Sequence, residues 1–332
     1  MAEKKKNILL QGGILSGAGI ITKIIGFYYR IFLNNEIGAS GLGMYQLVFP
    51  VFVMGLAICS VGIQTSLSRM VAANENNYNY CIKILYTAIF YSCLLSFIVM
   101  AICYFYADFI AMHFIKNASC APLIRILSFS FIPASIHSCI SGYCYGKEKT
   151  GLPSFSQLIE QVSRVVAVYL LFKLPIDKVD VVMWGLVIGE AFGALISIKY
   201  IFIEKSKVTS ANKVSVNILS LSKNLFAQAV PLTFNRIGTN FLQSIEAIIF
   251  PILLCRYGYS NDEALSFLGI ITGMALPLLL FPSALTNSLS VLLLSDVANS
   301  KAKKNTMQIR KTIEYTIECT TLIGIFCLGF LF

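Results

Sequence analysis

Nine apolar stretches, each long enough to cross a bilayer, run almost end to end through this chain: residues 8–33, 44–70, 81–106, 122–143, 153–172, 181–203, 225–254, 264–294 and 313–332. A membrane's hydrocarbon core is about 30 Å thick and a helix rises about 1.5 Å per residue, so about 20 apolar residues make one crossing. Polar or charged clusters bound each stretch, and what lies between them is too short for a water-soluble catalytic domain. Composition agrees, with 57% hydrophobic and 13% charged residues against about 25% charge in soluble domains. The expected fold is an all-α polytopic membrane protein of about nine transmembrane helices. Residues 1–203 form an N-lobe of six spans, 204–223 a basic cytoplasmic loop with an interfacial segment at 214–221, and 224–332 the first three helices of a C-lobe.

The net charge of +10 takes its meaning from position. Lys4, Lys5, Lys6, Lys147, Lys149, Lys205, Lys207, Lys301, Lys303 and Lys304 fall at one set of span ends, whereas the opposite ends carry only Lys116, Lys173, Lys178 and Arg256. By the positive-inside bias the N-terminus and the basic loops are cytoplasmic, in a multi-pass protein of the cell membrane, and the basic excess signals topology rather than nucleic acid. Lys23 and Arg30 interrupt the first apolar run, so it reads as an uncleaved helix and not as a signal peptide. Cys59, Cys93, Cys103, Cys139, Cys319 and Cys327 lie in apolar runs and read as small hydrophobes, with no disulfide and no metal site expected. Pro50, Pro133, Pro231, Pro277 and Pro282 lie inside spans and predict kinks.

An internal echo sets the organisation. Thr65-Ser66-Leu67-Ser68 closes the second span and Asn287-Ser288-Leu289-Ser290 the eighth, each followed by Val-Ala (Val71-Ala72, Val297-Ala298). The offset lays span one over span seven and span three over span nine, a parallel repeat of two six-helix lobes in which the second stops after its third helix. The apolar run ending at Phe332 without a polar exit reads as a truncated or split protein.

Motifs for enzyme chemistry are missing: no phosphate-binding glycine loop, no HExxH and no paired aspartates. His113 and His137 stand alone and read as packing residues, and no catalytic residue and no cofactor is expected. The informative residues are charges inside spans: Lys23, Arg30, Arg125, Glu160, Arg164, Glu190, Arg236 and Glu246. A centred charge costs roughly 2.5 to 3.5 kcal/mol on insertion scales, so each needs an interior partner or water. Glu160 and Arg164 are one turn apart and read either as a structural clamp or, with Glu190 and Glu246, as an ion-coupling set. Arg30 and Arg125 either face a cavity or snorkel to the membrane surface. Lys23 and Arg236 occupy superposed spans and predict a shared cationic cavity, suited to an anionic, phosphate-bearing substrate. Gln64, Asn235, Asn240, Gln243 and Asn287 supply sugar contacts or interhelical hydrogen bonds.

The run from Ile21 to Leu33 with Lys23, Gly26 and Arg30, then Gly38-Ala39-Ser40-Gly41-Leu42-Gly43-Met44-Tyr45-Gln46-Leu47, resembles the first span and turn of one transporter branch. That branch is the stage V sporulation protein B and polysaccharide biosynthesis group of the multidrug/oligosaccharidyl-lipid/polysaccharide exporter superfamily. Gly142-Tyr143 before a basic turn, then Gln157-Leu158-Ile159-Glu160-Gln161-Val162-Ser163-Arg164-Val165, is similar to its fifth-span signature. The resemblance covers all nine spans and implies a flippase bundle of two six-helix lobes and two further helices around a cavity. By likeness to MurJ-type lipid II flippases, Lys23 and Arg30 would line that cavity. Two departures stand out: position 23 is Lys where the family usually has Arg, and the last five helices are not in this sequence.

The expectation is a flippase that moves a lipid-linked anionic glycan, for cell wall, spore cortex or polysaccharide export, by alternating access. Membrane lipids are its surroundings, and a polypeptide supplying further helices is a candidate partner. The alternatives are a cation-coupled multidrug exporter of the same fold and an inactive membrane scaffold or remnant.

Overall fold

A computed structural model describes residues 2–74, 77–206, 218–280 and 306–331, and all regular structure among them is helical. The first helix, α1 (Ala2–Leu56), contains one non-helical residue, Gly38, at φ 72° and ψ 172°. A straight helix would hold Tyr29 and Tyr45 about 24 Å apart, yet both line one cavity, and Leu33 and Leu42 share one buried cluster. The chain therefore doubles back at Gly38, and α1 supplies two crossings. No atom lies within 4 Å of where a Cβ would sit there; the dihedral, not space, demands glycine.

A π-helical turn, Ala57–Val61, leads from α1 into α2 (Gly62–Ala73), which Asn74 closes by donating from Nδ2 to the Met70 carbonyl at 3.0 Å. The Asn77 side chain accepts from the Tyr80 N–H at 3.1 Å and opens α3 (Tyr78–Phe105). The exposed Phe90, Leu94, Phe97, Ile98 and Phe105 of α3 form the apolar face that a bilayer covers. Next, α4 (Ala121–Ser128) and α5 (Phe131–Gly146) meet at a 50° bend, because Pro133 has no N–H for the Phe129 carbonyl.

Helices α6 (Gly151–Leu171) and α7 (Lys178–Ser206) pack closely against each other. Their closeness depends on glycine: a Cβ on Gly189 would lie 3.0 Å from the Glu160 carbonyl oxygen and 3.1 Å from Arg164 Cβ. After them come α8 (Ile218–Arg256), α9 (Asn261–Leu268), a π-helical turn Gly269–Ala275, α10 (Leu276–Leu279) and α11 (Thr306–Leu331). Ser260 caps α9 reciprocally with Glu263. The second half of α1 meets α9 and the turn after it so closely that a Cβ on Gly43 would collide with the Leu265 carbonyl, and one on Gly269 with the Ala39 carbonyl.

Every predicted span falls on a helix, with 264–294 described only as far as residue 280. Among the described residues five helices are long and apolar enough to cross a membrane alone, or six with the bent α4–α5 pair. Three of the expected nine are not in that count: the first two crossings merge through Gly38, the polar Gln157, Glu160, Gln161 and Arg164 lower the hydropathy of α6, and α11 is not among the counted helices. Helix α8 begins at Ile218, so 218–221, expected to lie along the interface, already belong to it, with Leu221 buried. Residues 214–217, the echo at 287–290 and the second Val-Ala lie outside the described residues.

Buried side chains gather in two clusters. One holds Leu33, Leu42, Leu47, Cys120, Val181 and Leu265; the other holds Leu67, Leu85, Tyr143 and Leu225. The turns near 38, 116, 175 and 258 thus lie at one end and those near 75 and 147 at the other, as alternating crossings require.

Candidate substrate cavity

The reversal at Gly38 brings both halves of α1 against α6, the 269–275 turn and α10, enclosing a cavity of about 530 Å³. Lys23, Gly26 and Arg30 share one face of α1 by their spacing and open onto it, with Tyr29, Tyr45 and Phe49 beside them and Gln161 and Arg164 supplied by α6. Thr272, Leu276 and Pro277 close the far wall. Three of the lining side chains are cationic and none is a carboxylate. Tyr29 Oη and Arg164 Nε are buried without a hydrogen-bond partner among the described residues.

Behind the lining, Arg164 is held in place. Its Nη2 donates to Glu160 Oε1 at 2.6 Å and lies 3.7 Å from Glu190 Oε1, with the three side chains only 13%, 15% and 9% exposed. Buried ions of this kind persist when each has a counter-charge. His137 extends the network, with Nε2 2.9 Å from Ser156 Oγ and Nδ1 3.7 Å from Glu160 Oε2. Ser156 Oγ also donates to the Pro153 carbonyl at 3.1 Å. His137, Glu160 and Glu190 also offer ligand atoms all within 4.8 Å of one another, a spacing open to a cation, but Arg164 already engages Glu160.

The other predicted site residues fall elsewhere. Arg236 and Asn235 lie on an exposed face of α8 and are not among the lining residues, so Lys23 and Arg236 do not share this cavity. Thr239, Gln243 and Glu246 continue the exposed face from Arg236; the spacing puts them on one stripe. Gln64 Oε1 accepts from Ser138 Oγ at 2.8 Å, and Asn240 Nδ2 donates to the Val53 carbonyl at 3.3 Å, both between helices. Arg125 pairs with Asp108 at 2.5 Å where both are well exposed. Asn287 lies outside the described residues.

Sequence reasoning missed Gln161, Tyr29, Tyr45 and Thr272 as lining residues, the cavity-facing side of Arg164, and the place of His137 in its network. The polar spacing Gln157, Gln161, Arg164 on α6 was the available signal for the second helix of the wall.

The sequence profile of the family described as polysaccharide biosynthesis protein matches residues 8–293. Stage V sporulation protein B of Bacillus subtilis (strain 168) is 26% identical over 331 residues, covering 96% of this chain and 64% of the relative. The lipid II flippase MurJ of the same organism is 23% identical over 338 residues, covering 93% of this chain and 61% of the relative. The chain therefore spans a little under two thirds of either. Among solved structures, the MATE crystal structure in the straight conformation superposes with a TM-score of 0.65 at 13% identity, over 98% of this chain and 72% of that one. A multidrug/oligosaccharidyl-lipid/polysaccharide superfamily transporter from Pyrococcus furiosus, whose binding pocket is described as reversed in polarity, gives 0.57 at 14% identity, over 98% and 71%. At these identities the likeness is one of fold.

Proposed function

The chain belongs to the polysaccharide biosynthesis protein family, and from that premise we propose that it serves a membrane flippase that moves a lipid-linked, pyrophosphate-bearing glycan by alternating access. The observation that carries the reading is the lining of the cavity: Lys23, Arg30 and Arg164 with no carboxylate among them. Guanidinium and ammonium groups donate charge-assisted hydrogen bonds to phosphate oxygens. Tyr29 and Gln161 offer neutral partners for sugar hydroxyls, and the lipid tail stays in the bilayer. No bond is made or broken; the work is capture, release and the rocking of residues 1–203 against 224–332 about the loop at 204–223. The acidic lining that a drug-cation exporter would favour is absent from the described wall, which supports the anionic substrate.

The exposed stripe Arg236, Thr239, Gln243 and Glu246 on a membrane-crossing helix is costly against lipid. A further polypeptide segment covering α8 is therefore part of this reading. The N-terminus is placed in the cytoplasm, on the loop charges.

The test is a reconstituted flipping assay with a fluorescent polyprenyl-pyrophosphate glycan, using this chain with and without a polypeptide that supplies the additional helices of its relatives. Transport of the pyrophosphate lipid over a neutral glycolipid supports the proposal. Equal transport of both, or none with the added polypeptide present, overturns it.

A further inference from the structure

A second cavity, of about 330 Å³, lies at the end of the molecule that carries the Gly38 reversal and shares no lining residue with the Lys23 cavity. It sits between the turn after α3 and the α8–α9 corner. Its polar lining is Lys116, Asn117, Arg256 and Asn261; Leu47 and Leu265 are among its apolar walls.

Three observations point to one kind of occupant. Lys116 and Arg256 are both exposed, and neither forms an ion pair with a described residue within 4 Å. The carboxylates nearest in sequence are engaged: Asp108 pairs with Arg125, Glu263 accepts from the Ser260 N–H at 2.8 Å and from its hydroxyl at 2.9 Å, and Asp262 accepts from Ser40 at 3.5 Å. Secondly, Asn117 is 9% exposed and its Oδ1 accepts from the Ser119 N–H at 3.0 Å, which fixes the amide. Its Nδ2 is left as a buried donor without an acceptor among the described residues, and buried donors are almost always paired. Thirdly, Lys116 is left-handed at φ 63°, a position glycine fills with least strain. The chain instead places a cation there.

We propose that this cavity binds a phosphate group, held by Lys116 and Arg256 and by the Asn117 amide. The proposal does not depend on the transport reading. Its walls come from Leu47 and from residues 115–117 and 251–265, so an occupant ties the segment after α3 to the α8–α9 corner. The phosphate chemistry has two possible sources, an anionic lipid headgroup or a soluble phosphate.

Cys255, an exposed free thiol in the cavity lining, is a built-in reporter. The experiment follows N-ethylmaleimide alkylation of the Cys255 peptide by mass spectrometry, with the full chain in phosphatidylcholine nanodiscs. One arm adds phosphatidylglycerol to the bilayer and another adds inorganic phosphate to the buffer. An occupied site slows alkylation by the factor one plus ligand over Kd, about tenfold when ligand exceeds Kd by that ratio. Protection by phosphatidylglycerol alone identifies a lipid headgroup; protection by inorganic phosphate identifies a soluble anion; both support the site. Lys116→Gln/Arg256→Gln, which changes only exposed side chains, should abolish protection. So should Asn117→Asp, which keeps the oxygen that caps Ser119 but replaces the donor with a carboxylate. No protection in either arm, or protection unchanged in the double variant, overturns the proposal.

Discussion

Arg164 Nη2 sits 2.6 Å from Glu160 Oε1, one turn back on the same helix, and the same guanidinium forms part of the cavity wall. One side chain thus belongs both to the buried charge network and to the proposed substrate surface.

With Glu190 3.7 Å away on the other side, Arg164 has a second counter-charge, so losses at the two carboxylates should not add. Glu160→Gln alone leaves a carbonyl acceptor and Glu190 in place and is expected to lower thermal stability modestly. Glu160→Gln/Glu190→Gln strands the guanidinium, at a cost of about 3 to 5 kcal/mol. Melting of the purified protein in detergent, set out as a double-mutant cycle, measures this; strict additivity would refute the shared role.

Lys23 and Arg30 line the cavity, whereas Arg236 does not. Lys23→Ala and Arg30→Ala should each reduce pyrophosphate-lipid transport by about 10- to 100-fold, the worth of one charged hydrogen bond of about 1.5 to 3 kcal/mol. Membrane levels should stay normal. Arg236→Ala should instead act on association with a covering polypeptide, read by co-purification. An equal transport defect from all three, with association intact, would return Arg236 to the substrate path.

Gly43→Val places a branched side chain against the Leu265 carbonyl, where not even a Cβ fits. The expected cost is about 1 to 3 kcal/mol, as for other overpacking changes, visible as a lowered melting temperature. Gly17→Val, at a position with nothing within 4 Å of the new Cβ, is the control and should melt like the parent. Equal effects of the two would mean that the α1–α9 contact is not tight.

Cysteines introduced at Lys173 and Lys147 should label from opposite faces of intact cells, since the turns near 175 and 147 lie at opposite ends. The charge bias puts Lys173 outside and Lys147 inside. The reverse labelling would invert the proposed orientation while leaving the fold untouched.

Much of the architecture was legible because crossing a bilayer leaves a coarse, long-range mark: apolar runs of fixed length, bounded by polar or charged clusters. Of the prolines expected to kink spans, Pro133 stands at a bend, whereas Pro50 and Pro231 lie inside continuous helices. The Glu160–Arg164 pair was legible for a local reason, since residues four apart on a helix meet wherever the helix goes. Cavity membership was not legible, because it depends on how each helix is rotated about its axis. Arg236 and Lys23 occupy corresponding predicted spans and are both exposed, yet only Lys23 lines the cavity. The near-continuity of the first two crossings was hidden as well, since Gly38 carries no apolar or charged signature.

The Gly38 reversal has a mechanical consequence. Two crossings meet at one residue of positive φ, with Glu36 beside it paired to Lys178 at 2.9 Å. The segment bearing Lys23 and Arg30 is thereby joined through a single glycine to Ala39 and Gly43, which abut Gly269 and Leu265. A tilt of that segment is expected to be felt at this contact, with the glycine as its fulcrum.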